Sequence, residues 1–266
     1  MKRFEGLVLC SDVDGTLIDE HNSVPKENLE AIQYFRANGG KFTLATGRIP
    51  EAVTPVLHGI TLDFPCICHN GCSIYDFYTN RYIDTVELPK EAHKAAEQVM
   101  ELSPDSGIEV ITPEGIFVVK QTFATDRHIA FEEITARRAD SLEEVPAPWL
   151  KILFAQEPDQ TDRLNGQMRS SAYHANYTII KTHQYYYEIY HKNASKGNAL
   201  ETLCARFNID LKNVAAIGDN ENDLSMLLKA GISAAAGNAP GSVKTKAGIV
   251  TCTNSQGAVA DFISKL

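Results

Sequence analysis

The sequence has no run of about 18 apolar residues, so no segment reads as a membrane-spanning helix. It also lacks a surplus of basic residues: 25 Lys and Arg stand against 34 Asp and Glu, a net charge of −9. Nucleic acid and anionic membrane surfaces both reward a basic face, so neither is an expected partner. An anionic small substrate stays open, because a local cluster with a bound metal can reverse the field. Only Lys2-Arg3-Phe4-Glu5-Gly6 separates the first Met from the first apolar run, with no signal-like segment. The expectation is a soluble cytoplasmic protein. Internal repeats and low-complexity stretches are also missing, and no obligate protein partner is evident.

Cysteine is sparse, at 6 residues. Cys66-Ile67-Cys68-His69 with Cys72 has the residue types of a zinc set, but no second CxxC pair lies at zinc-ribbon spacing. Pro65–Cys68 reads more simply as a short buried strand whose cysteines act as small hydrophobes. Asn70-Gly71 then reads as a tight turn.

What is present is ample apolar material: 44% of 266 residues, enough for one large domain or two modest ones. Residues 1–82 alternate strand and helix. A strand over Leu7–Ser11 precedes a helix from near Pro25 that stops at Asn38-Gly39-Gly40, a C-cap signal. A strand over Lys41–Ala45 leads through Thr46-Gly47-Arg48 to a helix opening at Pro50. Such alternation implies parallel strands with crossover helices. Between residues 83 and 190 the pattern changes. A helix is expected near Pro89–Leu102, then strands over Ile108–Ile111 and Ile116–Val119. Further strands are expected over Trp149–Ala155, Tyr173–Lys181 and Tyr185–Tyr190, with a helix over Asp159–Ser170. Paired strands with grouped helices read as an inserted α+β module with an antiparallel sheet. From Ser195, a plausible N-cap, the first pattern resumes. Strand Val214–Ile217 runs into Gly218-Asp219-Asn220-Glu221-Asn222-Asp223, and a helix follows, ending at Gly231.

Asp12-Val13-Asp14-Gly15-Thr16 follows the first strand directly. Side chains at i and i+2 of an extended segment point the same way, so two carboxylates crowd at the strand's end. Two ionised carboxylates that close repel unless a cation neutralises them or their roles differ. In a doubly wound sheet, ligands bind beyond the carboxyl ends of the strands. Asp12/Asp14, Thr46-Gly47-Arg48 and Asp219 with Asn222 and Asp223 all fall at such ends, and Lys196 opens a helix in the same half. This inventory suits Mg²⁺-dependent phosphoryl transfer. Mg²⁺ takes oxygen ligands, few of them carboxylates. One carboxylate can be a nucleophile and another a proton donor and acceptor. Thr46, Lys196 and backbone amides can hold phosphoryl oxygens.

These segments resemble the four signature motifs of the haloacid-dehalogenase superfamily of phosphatases. The matching residues are Asp12-x-Asp14-Gly15-Thr16, Thr46, Lys196 and Gly218-Asp219-x-x-Asn222-Asp223, in the family's order. Ala45-Thr46-Gly47-Arg48, Asn70-Gly71, Ser195-Lys196-Gly197-x-Ala199-Leu200 and Gly237-Asn238-Ala239 narrow the resemblance to the Cof-type branch, which has a C2B cap. The implied fold is α/β. It has a Rossmann-like core, with a parallel sheet and helices on both faces, from residues 1–82 and 191–266. Residues 83–190 would form an α+β C2-type cap with an antiparallel sheet that sets substrate specificity.

The resemblance makes Asp12 the nucleophile and Asp14 the general acid/base. Mg²⁺ is held by the Asp12 carboxylate, the Asp14 backbone carbonyl and Asp219. Thr46 and Lys196 hold phosphate, and Lys196 also offsets the charge of Asp12. Asn222 contacts phosphate or supports that contact, with Gly47 and Arg48 as further phosphate or substrate contacts. Asp223 orients a metal-bound water or Lys196. The implied activity is hydrolysis of a small phosphorylated metabolite, a sugar phosphate, through an aspartyl-phosphate. Alternatives are a phosphomutase or phosphotransferase of the same superfamily, or a catalytically weak regulator that binds a phosphorylated ligand. In the cap, Tyr185-Tyr186-Tyr187 and Tyr190 alternate along a strand, a pattern that a packed sheet explains without substrate.

Overall fold

The computed structural model describes residues 2–89 and 91–266. The chain divides into two compact units, Met1–Asp84 with Ser195–Leu266, and Thr85–Ala194.

The first unit is built on a five-stranded sheet in the order Ile249–Val250, Ile232–Ala235, Val214–Gly218, Val8–Ser11, Lys41–Leu44. All four pairings are parallel; Val8 lies between Val214 and Lys41, and Ser11 between Ile217 and Leu44. Successive side chains of a strand face opposite ways, and both faces here are apolar, as a parallel sheet between helix layers requires. Leu9, Phe42, Leu44, Ala215 and Ile217 pack on one face with Ile32 and Phe35 of helix Lys26–Ala37 and Phe262 of helix Ala258–Ser264. Val8, Cys10, Val214 and Ala216 pack on the other with Leu200 and Leu203 of helix Lys196–Arg206 and with Met226. Each large apolar side chain buried this way contributes about 1.5–3 kcal/mol.

A three-stranded sheet, Cys66–Cys68, Ser73–Asp76 and Arg81–Thr85, adjoins through a parallel bridge between Ala45 and Ile67. Cys66 and Cys68 are fully buried and their sulfurs lie 3.7 Å apart. The helix expected from Pro50 is a single turn, Pro50–Val53, continued as a 3₁₀ turn to Leu57. Pro55, within that continuation, has no N–H to donate to an α-helical ladder. The helix expected before Gly231 is likewise short, Leu224–Leu227 after a 3₁₀ turn over Glu221–Asp223.

The second unit has a six-stranded sheet in the order Tyr177–His183, Tyr186–His191, Lys151–Ala155, Gly107–Thr112, Gly115–Lys120, Ala136–Arg138. Ile108, Val110, Ile152, Phe154, Tyr187 and Ile189 face helices Ala92–Leu102 and Pro158–Met168. Lys90, inside the span where the first of these helices was expected, lies outside the described residues. The opposite face carries charge. Lys151 and Glu188 form a buried pair at 2.7 Å, and Glu109 meets His128 of helix Phe123–Glu132.

Helix Phe123–Glu132 and strand Ala136–Arg138 are not legible in the sequence, and they add one parallel pairing at the edge of the expected antiparallel sheet. Ala136–Arg138 pairs parallel to Gly115–Lys120. The helix between them makes a strand–helix–strand crossover, which returns the chain in the same direction. The strand escapes notice because Ala136-Arg137-Arg138 is exposed and has no β-branched residue, and charge suits an unpaired sheet edge. Tyr173 also falls outside the strand expected to begin there: Ala172–Ala175 is a 3₁₀ turn capped by the Ser171 hydroxyl, and the strand starts at Tyr177.

Candidate active site

Asp12, Thr46 and Asp219 emerge together because their strands are adjacent and parallel. The Asp12 N–H donates to the Ile217 carbonyl at 2.9 Å, which extends the ladder one residue past Ser11. Lys196 is the first residue of its helix, and the Ser195 hydroxyl caps that helix by accepting from the Asn198 N–H at 3.1 Å. Only 1% of Lys196 is exposed. Its Nζ donates to Asp12 Oδ1 and to Asp223 Oδ1, both at 2.6 Å. Asp223 is fully buried, and its other oxygen accepts from the N–H groups of Asp219 (2.9 Å) and Asn220 (3.0 Å). Both oxygens of Asp223 are therefore committed within the protein.

Burial would pull the Lys196 ammonium down, but Asp12 and Asp223 outweigh it and hold the lysine charged. The carboxylates fare worse. Burial, then Asp223, pushes Asp12 well above the usual range despite Lys196. Burial and Asp223 also raise Asp219 to about 6. Three acids share one ammonium, a shortage of positive charge that a bound cation would offset.

Asp12, Asp219 and Asp223 are a metal-capable grouping, with ligand oxygens all within 4.8 Å of one another. The donor set is entirely oxygen, which fits a hard divalent cation. Asp223 is held by Lys196 and two amides at 2.6–3.0 Å, whereas the contacts on Asp219 are 3.4 Å long, so Asp12 and Asp219 are the better candidates to face such an ion. Gly15 leaves the approach clear: its φ is +74°, and a Cβ there would overlap the Asp219 carboxylate. Two residues given no role from sequence hold Asp219 in place. Thr16 Oγ1 donates to Asp219 Oδ1 at 3.4 Å, while Asn238 Nδ2 donates to the Gly15 carbonyl at 2.8 Å and lies 3.4 Å from Asp219 Oδ2. The signal for Asn238 was its place in Gly237-Asn238-Ala239.

Thr46 is fully buried; its N–H donates to the Ile67 carbonyl at 2.8 Å and its Oγ1 accepts from the Arg48 N–H at 3.1 Å. An accepting hydroxyl keeps its own proton to donate. The Arg48 side chain grips Asp14, with Nη2–Oδ1 2.6 Å and Nε–Oδ2 3.0 Å, and its Nη1 donates to the Ala52 carbonyl at 3.1 Å. Asp14 is the solvent-facing member of the set, its side chain 51% exposed. Asn222 is half-buried; its Nδ2 donates to Asn70 Oδ1 at 2.9 Å, and its buried Oδ1 has no partner among the described residues. Gly47 lies against the Asn70 carboxamide.

The chain that carries these residues is similar over nearly its whole length to known proteins. Residues 9–263 match the haloacid dehalogenase-like hydrolase family. The chain belongs to that family, in its Cof-type branch, and is a phosphatase. It is 28% identical over 267 residues to the pyridoxal phosphate phosphatase YbhA of Escherichia coli, covering 96% of this chain and 97% of that one. It is 28% identical over 284 residues to the 5-amino-6-(5-phospho-D-ribitylamino)uracil phosphatase YwtE of Bacillus subtilis, covering 97% of each. The crystal structure of a haloacid dehalogenase-like hydrolase from Bacteroides thetaiotaomicron superposes with a TM-score of 0.85 at 21% identity, over 98% of this chain and 99% of the other. Among the described residues, no helix is long and apolar enough to cross a membrane.

Proposed function

We propose that this phosphatase is Mg²⁺-dependent, acts in the cytoplasm, and hydrolyses a small sugar phosphate through an aspartyl-phosphate on Asp12. The observation that carries the reading is Lys196, buried and bridging Asp12 and Asp223 at 2.6 Å each, beside Asp219. A buried lysine that spans a candidate nucleophile and a structural acid both fixes the attacking carboxylate and supplies charge for an incoming phosphoryl group.

Asp12 and Asp219, with the Asp14 backbone carbonyl, would hold Mg²⁺, which supplies charge neutralisation for the phosphoryl oxygens. Lys196, the Thr46 hydroxyl and the Gly47 amide face the same phosphoryl group. An Asp12 oxygen attacks phosphorus as the bond from phosphorus to the substrate alcohol oxygen breaks, and Asp14 gives its proton to that oxygen. Asp14, then a carboxylate, takes a proton from water. The water oxygen bonds to phosphorus, the bond to Asp12 breaks, and inorganic phosphate leaves. The exposure of Asp14 supports its proton role, since a group that trades protons with an alcohol and with water must meet both. Arg48 holds Asp14 between turnovers. The unit Thr85–Ala194 selects the leaving group.

The sugar-phosphate class is supported by the YwtE substrate, whose name places the phosphate on a ribityl chain. The test is a panel of phosphorylated metabolites assayed for phosphate release with and without Mg²⁺. Hydrolysis of sugar phosphates that stops on metal removal supports the reading. Isomerised sugar phosphate without free phosphate would indicate a mutase, and metal-independent release would overturn the metal assignment.

A further inference from the structure

The turn His69-Asn70-Gly71 lies outside the motifs that define the site, yet it touches three of them. The Asn70 N–H donates to the Thr46 carbonyl at 3.0 Å, and the His69 N–H donates to the Arg48 carbonyl at 3.0 Å. With the Thr46 N–H on the Ile67 carbonyl at 2.8 Å, three main-chain bonds lace this turn and the strand before it to Thr46 and Arg48. Gly71 has φ +93° and its Cα rests on the Ser195 carbonyl, where any Cβ would overlap it. That carbonyl belongs to the residue preceding Lys196. Asn70 itself is left-handed, at φ 57° and ψ 26°, a conformation Asn tolerates better than most residues.

The Asn70 side chain is 4% exposed. Its Oδ1 accepts from Asn222 Nδ2 at 2.9 Å, across 152 residues of sequence. A Cβ on Gly47 would come to 3.0 Å from the same oxygen, so the carboxamide also forms a wall behind the Gly47 backbone. An amide nitrogen carries two hydrogens. With one donated to Asn70, the plane of the Asn222 carboxamide is set, and its second hydrogen has a fixed direction.

We infer that Asn70 is a positioning residue of the phosphate pocket: its carboxamide orients the Asn222 side chain and backs the Gly47 amide, so that both meet the phosphoryl oxygens without reorganisation. The inference rests on the proposed assignment of Thr46, Gly47, Lys196 and Asn222 to phosphate. Preorganised donors are worth more than mobile ones because their entropy is already lost before the ligand arrives.

The test uses Asn70→Gly, which removes the carboxamide and suits the left-handed backbone, together with Asn222→Ala and the double variant. Each is assayed for kcat, KM and the inhibition constants of orthovanadate and inorganic phosphate, with the melting temperature as a control on folding. Asn70→Gly should raise KM and both inhibition constants about tenfold, the scale of one charge-assisted hydrogen bond, while kcat moves less. Asn222→Ala should do the same. The double variant should lose less than the product of the two single losses, because the Asn222 share of the Asn70 effect is already gone and coupled residues are non-additive. Wild-type inhibition constants in Asn70→Gly, or losses that multiply in the double variant, would overturn the positioning role while leaving the phosphate pocket intact. A wild-type protein that neither turns over phosphate esters nor binds vanadate would overturn the pocket assignment, and this inference with it.

Discussion

Arg48 holds both carboxylate oxygens of Asp14, at 2.6 Å through Nη2 and 3.0 Å through Nε. The guanidinium is almost buried and its Nη1 is anchored on the Ala52 carbonyl, whereas Asp14 is half-exposed. The rigid partner therefore fixes the mobile one. Arg48→Lys keeps the charge but loses the two-pronged grip. It should lower kcat about tenfold, since a small misplacement of a reacting group costs up to about 10²-fold. Metal titrations should match wild type. A shifted metal affinity with unchanged kcat would place Arg48 at the cation instead.

Asp12→Asn removes the proposed nucleophile but keeps its shape. Turnover should fall by at least about 10³-fold, with the melting temperature near wild type, because Lys196 retains Asp223 at 2.6 Å. Residual metal-dependent hydrolysis at wild-type rate would show that another group attacks phosphorus.

Lys196→Met leaves Asp12 and Asp223 buried together without their shared cation. Removing one partner of a buried ion pair costs about 3–5 kcal/mol, so metal-free protein should lose stability on that scale in urea unfolding. Adding Asp12→Asn should restore part of it by deleting one of the two stranded charges. A double variant less stable than Lys196→Met would refute the electrostatic account.

Asp219 titrates near 6 because it is buried beside Asp223. A protonated carboxyl is a poor ligand, so apparent metal affinity should weaken as pH falls below about 6. Asp219→Asn should raise the metal concentration needed for half-maximal activity by about two orders of magnitude or more. Calorimetric titration of the metal across pH checks both. A variant that binds metal like wild type would remove Asp219 from the metal set.

His128 shows how the second unit responds to pH. Burial alone would lower its pKa, but Glu109 at 2.7 Å, with Glu132, raises it to about 10. An unfolded histidine titrates near about 6.5. The folded state thus holds the proton more tightly, and this stabilisation is full below about 6.5 and is lost as pH climbs towards 10. Thermal melts should show wild type losing stability across that window, with His128→Gln flatter. Equal slopes would dissociate His128 from the effect.

Much of the fold was legible because it is local. Alternating faces in Val8–Ser11, the stop at Asn38-Gly39-Gly40 and the Ser195 cap are decided by neighbours a few residues away. That the helices Pro50–Val53 and Leu224–Leu227 stop after one turn, and that Ala136–Arg138 is a parallel edge strand, was not, because one turn is too brief to show in apolar periodicity and the edge strand has none. In the site, sequence could place Asp12, Thr46, Lys196 and Asp219 at strand and helix ends. It could not say that Asp223 spends both oxygens inside the protein, one on Lys196 and the other on two backbone amides.

Sequence alone determined the chemical inventory, the order of its parts and the parallel sheet that gathers them at one edge. Tertiary structure decided the pairings: Arg48 with Asp14 across 34 residues, Asn70 with Asn222 across 152, and Lys196 between Asp12 and Asp223. The physical reason is that hydrogen bonds and ion pairs depend on side-chain direction to within a fraction of an ångström. That direction is set by packing between distant segments, which local propensity does not encode.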